Sequence, residues 1–193
     1  ARQHDLHALP GTRTEVTAIR GLLGGRARVF LGADASESSF RSHAPAADVL
    51  HCAVHSRIDR RTPMDSALFF SLAGDRSEPL EDGVVSAWDI VDGLRMNADL
   101  VVLSSCSTGR GRSIPDEGIV GLARAFLVAG ARTLLVSHWE VSDQATSALM
   151  TAFYRHLEEG SSTAEALRRA RLQLGREGSG LAHPYSWASF QVR

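Results

Sequence analysis

The sequence predicts an α/β fold: a three-layer α/β/α sandwich with a mostly parallel central sheet. Apolar runs of strand length alternate along the chain with stretches of helical periodicity. The run 100–103 is apolar at every position, which is typical of a strand buried on both faces. With 193 residues and 44% apolar composition the chain can bury a substantial core, so we expect one domain over residues 1–193.

The first half of the chain predicts two helices and two strands. A capping-box pattern, Thr12 with Glu15, and a following glycine pair predict a helix over 12–24, and a second short helix is predicted over 36–42. Apolar, β-branched character predicts strands over 27–31 and 48–54. The polar segment 55–63 is predicted to be a loop.

The second half alternates strands and helices more clearly. Strands are predicted over 66–73, 98–104 and 131–136, where the residues are mainly apolar. Ser86 followed by Asp89 predicts a brief helix, and apolar stripes at helical spacing, with helix-ending glycines, predict helices over 118–129 and 143–157. A further helix is predicted over about 163–175.

Composition and charge exclude several classes of partner. The 21 Lys and Arg residues are interspersed with 22 Asp and Glu residues, so no basic stripe indicates nucleic acid or a membrane surface. No apolar run reaches the roughly 20 residues of a membrane span, and residues 1–9 lack a signal peptide's apolar segment. We expect a soluble, cytoplasmic domain that belongs to a longer chain, and we expect the N-terminal part of the domain to lie outside this sequence.

Reactive side chains follow the ends of three predicted strands: His55, Cys106 and the segment 138–143. Ligand sites of open α/β sheets lie beyond the carboxyl ends of the strands. A thiolate beside an imidazole is the minimal equipment for acyl transfer, and Cys106 with His55 supplies it. Spacing alone leaves open that Cys106 is a core residue, because a free cysteine packs like a small hydrophobe.

Two segments resemble those of a known family. Residues 50–56 read Leu-His-Cys-Ala-Val-His-Ser, and residues 98–109 read Ala-Asp-Leu-Val-Val-Leu-Ser-Ser-Cys-Ser-Thr-Gly. From Leu9 to Arg193 the chain resembles the CHAT domain, a caspase and separase relative often found beside tetratricopeptide repeats. Further blocks follow the family pattern in order, at 117–118, 122–127, 130–131, 139–143 and 183–188. The resemblance implies a caspase-like fold.

The resemblance also implies a function and its residues. It implies a cysteine endopeptidase in which His55 activates Cys106 and a thioester forms, without metal or organic cofactor. By the same resemblance, the backbone amides of Cys106 and Ser56 form the oxyanion hole. The implied partners are a protein or peptide substrate and a regulatory protein or tetratricopeptide-repeat module.

Substrate specificity is assigned to acidic residues near the third strand end. By resemblance to separases and CHAT relatives, Asp143 and then Glu140 line the pocket for a basic residue before the cleaved bond, and we predict that Ser104 also contacts substrate. A carboxylate there favours Arg or Lys. The alternative is that Ser142 or Asp143 simply caps the following helix.

Two further functions stay open. Ser56 stands where the family has glycine, so the chain is alternatively a catalytically silent, CHAT-like binding module. His51 is expected on the same strand face as His55, so a zinc hydrolase using both histidines and Cys106 is conceivable. Otherwise His51 is a buried, hydrogen-bonded histidine beside the sheet.

Overall fold

The computed structural model describes residues 10–59, 61–72, 82–104, 116–139, 141–176 and 181–193, with the backbone alone at positions 10 and 116–120. These ranges form six α-helices and seven strands. The helices are α1 (Pro10–Leu23), α2 (Glu37–His43), α3 (Ala87–Gly93), α4 (Asp116–Ala129), α5 (Asp143–Glu158) and α6 (Thr163–Arg176). The strands are β1 (Val49–Cys52), β2 (His55–Arg57), β3 (Ala67–Phe69), β4 (Val84–Ser86), β5 (Leu100–Leu103), β6 (Leu134–Ser137) and β7 (Phe190–Val192).

The described strands form two sheets. The larger sheet has the order β1-β5-β6-β7; its first three strands are parallel, and β7 is antiparallel to β6. The smaller sheet is antiparallel, with the order β2-β3-β4. The predicted α/β class with a mostly parallel central sheet is confirmed, and it is consistent with a caspase-like fold.

The core lies around the two central strands of the larger sheet. All four residues of β5 and all four of β6 are buried. Phe126 of α4, Ile90 of α3 and Leu134 of β6 are 0% exposed. Each such side chain stabilises the fold by roughly 1.5–3 kcal/mol relative to exposure. This burial fixes β5, the strand that leads toward Cys106.

Packing divides the described chain into two compact units. The helical unit contains the described residues up to 29 and those of 141–188, and therefore α1, α5 and α6. The sheet unit contains the described residues of 30–140 together with Ser189–Arg193, and therefore both sheets and α2–α4. His55 belongs to the sheet unit and Asp143 to the helical unit.

Side-chain caps fix the starts of two helices in the sheet unit. Ser36 Oγ accepts the Ser39 N–H at 3.1 Å and starts α2. Ser86 Oγ accepts the Asp89 N–H at 3.1 Å, while the Asp89 carboxylate accepts the Ser86 N–H at 2.8 Å. This reciprocal pair is a capping box and starts α3. Both predicted helix starts are confirmed.

Several predicted elements differ from the structure. The predicted strand over 27–31 is wrong: Ala27 and Leu31 have extended backbone, but this stretch joins neither sheet and runs into a short 3₁₀ turn at Gly32–Asp34. Part of the predicted loop 55–63 is a strand, β2, and the strands β4 and β7 were not predicted. Within the described residues, no helix is long and apolar enough to cross a membrane.

Candidate active site

The carboxyl ends of β1 and β5 lie side by side. The two strands are parallel neighbours, with Cys52 opposite Leu103. Directly beyond this pair the Ser104 N–H donates to the Cys52 carbonyl at 3.2 Å. Both strands therefore end on the same side of the sheet. His55 follows the end of β1 in the sequence, and Cys106 follows the end of β5. Cys106 itself lies outside the described residues.

His55 begins a strand and does not lie in a loop. The chain ends β1 at Cys52, turns through residues 53 and 54, and enters the smaller sheet at β2, where His55 pairs with Phe69 of β3. His51 and His55 are consequently in different sheets. The expectation that the period of two places them on one strand face is wrong, because a single strand does not run through both.

Ser56 has a backbone conformation that does not need glycine. It lies in the middle of β2, in extended conformation, and pairs with Leu68. Its side chain is buried, with 5% exposure, whereas Arg57 is exposed and His55 half-buried. Because side chains alternate along a strand, the Ser56 hydroxyl faces away from the side that carries the imidazole.

The backbone groups of Ser56 also have a defined direction. On either side of β3, Phe70 N–H donates to the Gly83 carbonyl at 2.7 Å and Ala87 N–H donates to the Ser66 carbonyl at 2.8 Å. In an antiparallel pair, every second residue bonds to the same neighbouring strand. Leu68, between Ser66 and Phe70, therefore also bonds toward β4. Leu68 therefore does not bond toward β2. The N–H of its partner Ser56 is directed away from β3, toward the outer side of the smaller sheet.

His51 and Ser104 contact each other. His51 Nε2 lies 3.1 Å from Ser104 Oγ, across the β1–β5 pair. Ser104 is 5% exposed and His51 is half-buried. The contact agrees with the alternative of a hydrogen-bonded histidine, but His51 is half-buried and not buried as that alternative predicted. The predicted substrate contact of Ser104 stays a prediction, and the structure gives its hydroxyl a partner within the protein.

Cys52 is a second thiol near the candidate site, but its environment is unreactive. The side chain is 5% exposed, packed in the core of the sheet unit. Burial raises the pKa of the Cys52 thiol from 9.0 to about 12, because the thiolate would lose its hydration. Cys52 is therefore core, as its position on the strand opposite to His51 predicts.

The start of α5 shows what Ser142 and Asp143 do inside the helical unit. Ser142 is the N-cap, and its Oγ accepts the Ala145 N–H at 3.3 Å. Asp143 Oδ2 accepts the Gly11 N–H at 3.1 Å, from the first turn of α1. The cap alternative is thus realised by Ser142. Glu140 lies outside the described residues.

Asp143 also borders a cleft of about 380 Å³ within the helical unit. The cleft runs between α1, α5 and α6, and its polar lining includes Thr14, Gln144, Ser147 and Arg155. The exposed carboxylate of Asp143 therefore remains accessible to solutes while it holds Gly11. Its assignment to a specificity pocket stays a prediction.

The described residues do not contain a group of three or more His, Cys, Asp or Glu side chains that could hold a metal ion. The zinc alternative also required Cys106, which is outside those residues. His51, one of its two histidines, is hydrogen-bonded to Ser104.

Two features of the site were missed from the sequence. The first is β2, whose three residues are too few to show an alternating pattern. The second is the His51–Ser104 contact. Parallel pairing of β1 with β5 predicts this contact, because Val102 pairs with His51 and Ser104 follows Val102 on the same face.

The fold and this edge define a class: an α/β protein of the caspase-like type whose histidine-bearing and cysteine-bearing segments leave adjacent parallel strands. The chain belongs to the CHAT domain family, whose sequence model matches residues 1–193. This family is related to the caspase-type peptidases.

Two relatives carry a name that describes repeats. The chain is 38% identical over 114 residues to Tetratricopeptide repeat protein 28 of Mus musculus and 35% identical over 114 residues to Tetratricopeptide repeat protein 28 of Homo sapiens. In each case the match covers 59% of this chain and 4% of the relative. The chain thus spans only a small part of these relatives.

Proposed function

We propose that this chain is a cysteine endopeptidase in which His55 activates Cys106. The observation that carries the proposal is that the parallel neighbours β1 and β5 end side by side, where the Ser104 N–H donates to the Cys52 carbonyl at 3.2 Å. Ser104 precedes Cys106 by two positions and Cys52 precedes His55 by three. Membership of the CHAT domain family supports the same pair of residues.

The proposed hydrolysis needs only these two side chains and water. The Cys106 sulfur attacks the peptide carbonyl carbon as its proton passes to His55, and a tetrahedral oxyanion forms. His55 then protonates the leaving amine as the carbon–nitrogen bond breaks, which leaves a thioester. Water, deprotonated by His55, attacks the thioester, and the released thiol takes the proton back.

The oxyanion needs backbone donors, for which we propose the amides of Cys106 and Ser56. The direction of the Ser56 N–H, away from β3, supports this role. Because the backbone of Ser56 is extended, this position does not require glycine, and the Ser56 hydroxyl faces away from the imidazole side. Serine at position 56 is therefore compatible with turnover.

The first experiment measures hydrolysis of fluorogenic peptides ending in Arg, Lys, Asp or Met. We expect wild type to cleave, and Cys106→Ala and His55→Ala each to lose at least about a thousandfold in kcat, as removal of a nucleophile or its base does elsewhere. Matched controls are Cys52→Ala and His43→Gln, which change a cysteine and a histidine outside the proposed machinery and should keep turnover. Equal turnover by wild type and both site variants would contradict the proposal.

We further propose cleavage after Arg or Lys, read by Asp143 together with Glu140. The Asp143 carboxylate is exposed and therefore accessible to a basic side chain, which supports this assignment. Asp143→Asn should reduce kcat/KM for Arg peptides by about tenfold or more, because the charge-assisted hydrogen bond is lost. Asp34→Asn, an exposed carboxylate of the sheet unit, is the control. An unchanged rate in Asp143→Asn would remove the specificity role.

A comparison of Asp143→Asn with Ser142→Ala separates substrate specificity from helix capping. Ser142→Ala should lower the free energy of unfolding by about 1 kcal/mol, because it removes the N-cap of α5. It should leave the preference for basic peptides unchanged. Asp143→Asn keeps an oxygen that can accept the Gly11 N–H, so its stability should stay close to wild type.

A silent binding module is the second candidate, favoured by the two relatives, whose name describes tetratricopeptide repeats and not a peptidase. In that case wild type would bind a tetratricopeptide-repeat protein, measured by titration calorimetry, and Cys106→Ala would bind equally. A total absence of peptide turnover by wild type, with such binding, would favour the module. Binding by both, together with turnover, would mean a peptidase with a repeat-containing partner.

A further inference from the structure

A buried polar link joins β1 to β5 at the edge described above, and the proposed mechanism does not use it. Ser104 is held to β1 twice: its N–H donates to the Cys52 carbonyl at 3.2 Å, and its Oγ lies 3.1 Å from His51 Nε2. The hydroxyl belongs to a residue that is 5% exposed. A hydroxyl placed there costs stability unless it is hydrogen-bonded, so the contact with His51 is needed.

The link closes in one strand register only. His51 pairs with Val102, and Ser104 is two residues after Val102, directly beyond the end of β5, hence on the same face of the sheet. A slip of one residue would turn Ser104 to the opposite face and break the contact. The imidazole and the hydroxyl are within hydrogen-bond distance in the observed register.

We infer that His51 and Ser104 are a positioning pair that fixes the segment leading to Cys106 against the segment leading to His55. The inference rests on the proposed peptidase function. Ser104 is two positions before the nucleophile, and His51 is four positions before the base. Neither is assigned a contact with the reacting atoms; both act through the strand ends. Ser104 thereby gains a role other than the direct substrate contact predicted for it.

The test compares variants that differ only in the hydrogen bond. Ser104→Thr keeps a hydroxyl, and Ser104→Val gives a side chain of the shape of threonine without the hydroxyl. His51→Gln keeps a polar group near the Nε2 position, and His51→Leu does not. We expect kcat to fall by about tenfold to a hundredfold in Ser104→Val and His51→Leu with KM nearly unchanged, because a small misplacement of catalytic groups slows chemistry without weakening binding.

Three outcomes bear on the pair. Ser104→Thr and His51→Gln should recover most of the lost kcat, and the double variant Ser104→Val/His51→Leu should be no slower than either single variant, because both remove one interaction. Ser36→Ala changes the buried N-cap serine of α2, and His43→Gln changes a half-buried histidine in α2; both variants should keep wild-type kcat. Unchanged kcat in Ser104→Val, or losses that multiply in the double variant, would overturn the inference.

A second readout separates this inference from the proposed function. If wild type cleaves no peptide, the peptidase proposal fails, and the pair is then tested by the rate at which iodoacetamide alkylates Cys106, measured by mass spectrometry. Ser104→Val should change that rate severalfold while Ser104→Thr and Ser36→Ala do not. Identical Cys106 alkylation rates in wild type, Ser104→Val and His51→Leu would overturn the positioning role.

Discussion

Cys52, the last residue of β1, is a thiol that the fold keeps protonated. It is three positions from His55, yet its side chain packs in the core with Val101 and Leu103 of the neighbouring strand. Burial favours the neutral thiol, so the proximity of a histidine along the chain does not make this cysteine a nucleophile. Environment, and not sequence distance, decides which of the two cysteines can react.

The raised pKa of Cys52 predicts how stability depends on alkaline pH. In the unfolded chain the thiol loses its proton near pH 9.0, and in the folded protein only near pH 12. The unfolded state therefore binds fewer protons between these values. The stability contributed by the protonated thiol is complete below pH 9.0, and the free energy of unfolding should fall by about 1.4 kcal/mol per pH unit across the window.

Urea titrations between pH 8 and 11 measure this dependence, with Cys52→Ala as the reference that lacks the thiol. The chain contains no lysine, so few other groups titrate there. A difference between wild type and Cys52→Ala that stays constant with pH would contradict the expected burial of the thiol. Iodoacetamide should leave Cys52 unmodified at pH 8 in the folded protein.

At the scale of elements, α4 packs closely on the chain that follows His55. The 3₁₀ turn Pro63–Asp65 comes after β2, and its Pro63 carbonyl lies directly against Gly121 of α4. A Cβ at position 121 would overlap that carbonyl oxygen, and a backbone atom has little room to move. Glycine is required here by close approach, since the residue lies in ordinary helical backbone.

Gly121→Ala should lower the free energy of unfolding by about 1–3 kcal/mol, as overpacking of a buried contact does. Gly21→Ala is the matched control: this glycine is also helical, in α1, and an added Cβ would have no atom within 4 Å. There, alanine should raise stability by about 0.5–1 kcal/mol, because it favours the helix. Thermal unfolding of both variants is the measurement, and equal shifts of the same sign would contradict the close contact.

The elements show which features of the fold a sequence can predict. A long apolar stripe predicts α5 closely, the bounds predicted for α6 also agree with the structure, and apolar character predicts β5 and β6. The strands β2, β4 and β7 have three residues each, too few for a periodic signal. The strand β3 is equally short, but it lies within the mainly apolar run 66–73, which predicts a strand there. Residues 27–31 have strand character without a strand, because a strand also needs a partner, and the partner is set by the whole fold.

The candidate site divides in the same way. His55 and Cys106 were predicted through the family resemblance, because their flanking residues form long local motifs. The change of sheet between His51 and His55 was not predicted, since it depends on pairing with β3, about a dozen residues further along. Likewise the Ser104–His51 contact joins positions 53 residues apart and requires the register of two strands.

At the scale of the whole molecule, each compact unit is built from two separate stretches of the sequence. The fourth strand of the larger sheet, β7, comes from residues that follow α5 and α6 of the helical unit in the sequence, and it is antiparallel to β6. Leu134 and Arg193 exchange two backbone hydrogen bonds of 2.9 Å, and these bonds attach β7 to β6. The larger sheet is therefore incomplete until the final residues are present.

The anchor of this last strand is Phe190, which is 0% exposed and pairs with Ser137 at the carboxyl end of β6. Phe190→Ala should lower the free energy of unfolding by about 3–5 kcal/mol, because it removes a large buried side chain and leaves a cavity. Gln191→Ala, at the next and exposed position of β7, should stay within about 0.5 kcal/mol of wild type. Urea unfolding followed by tryptophan fluorescence measures both variants. A loss in Phe190→Ala no larger than that in Gln191→Ala would mean that β7 contributes little to the sheet unit, and that this unit is stable without its C-terminal strand.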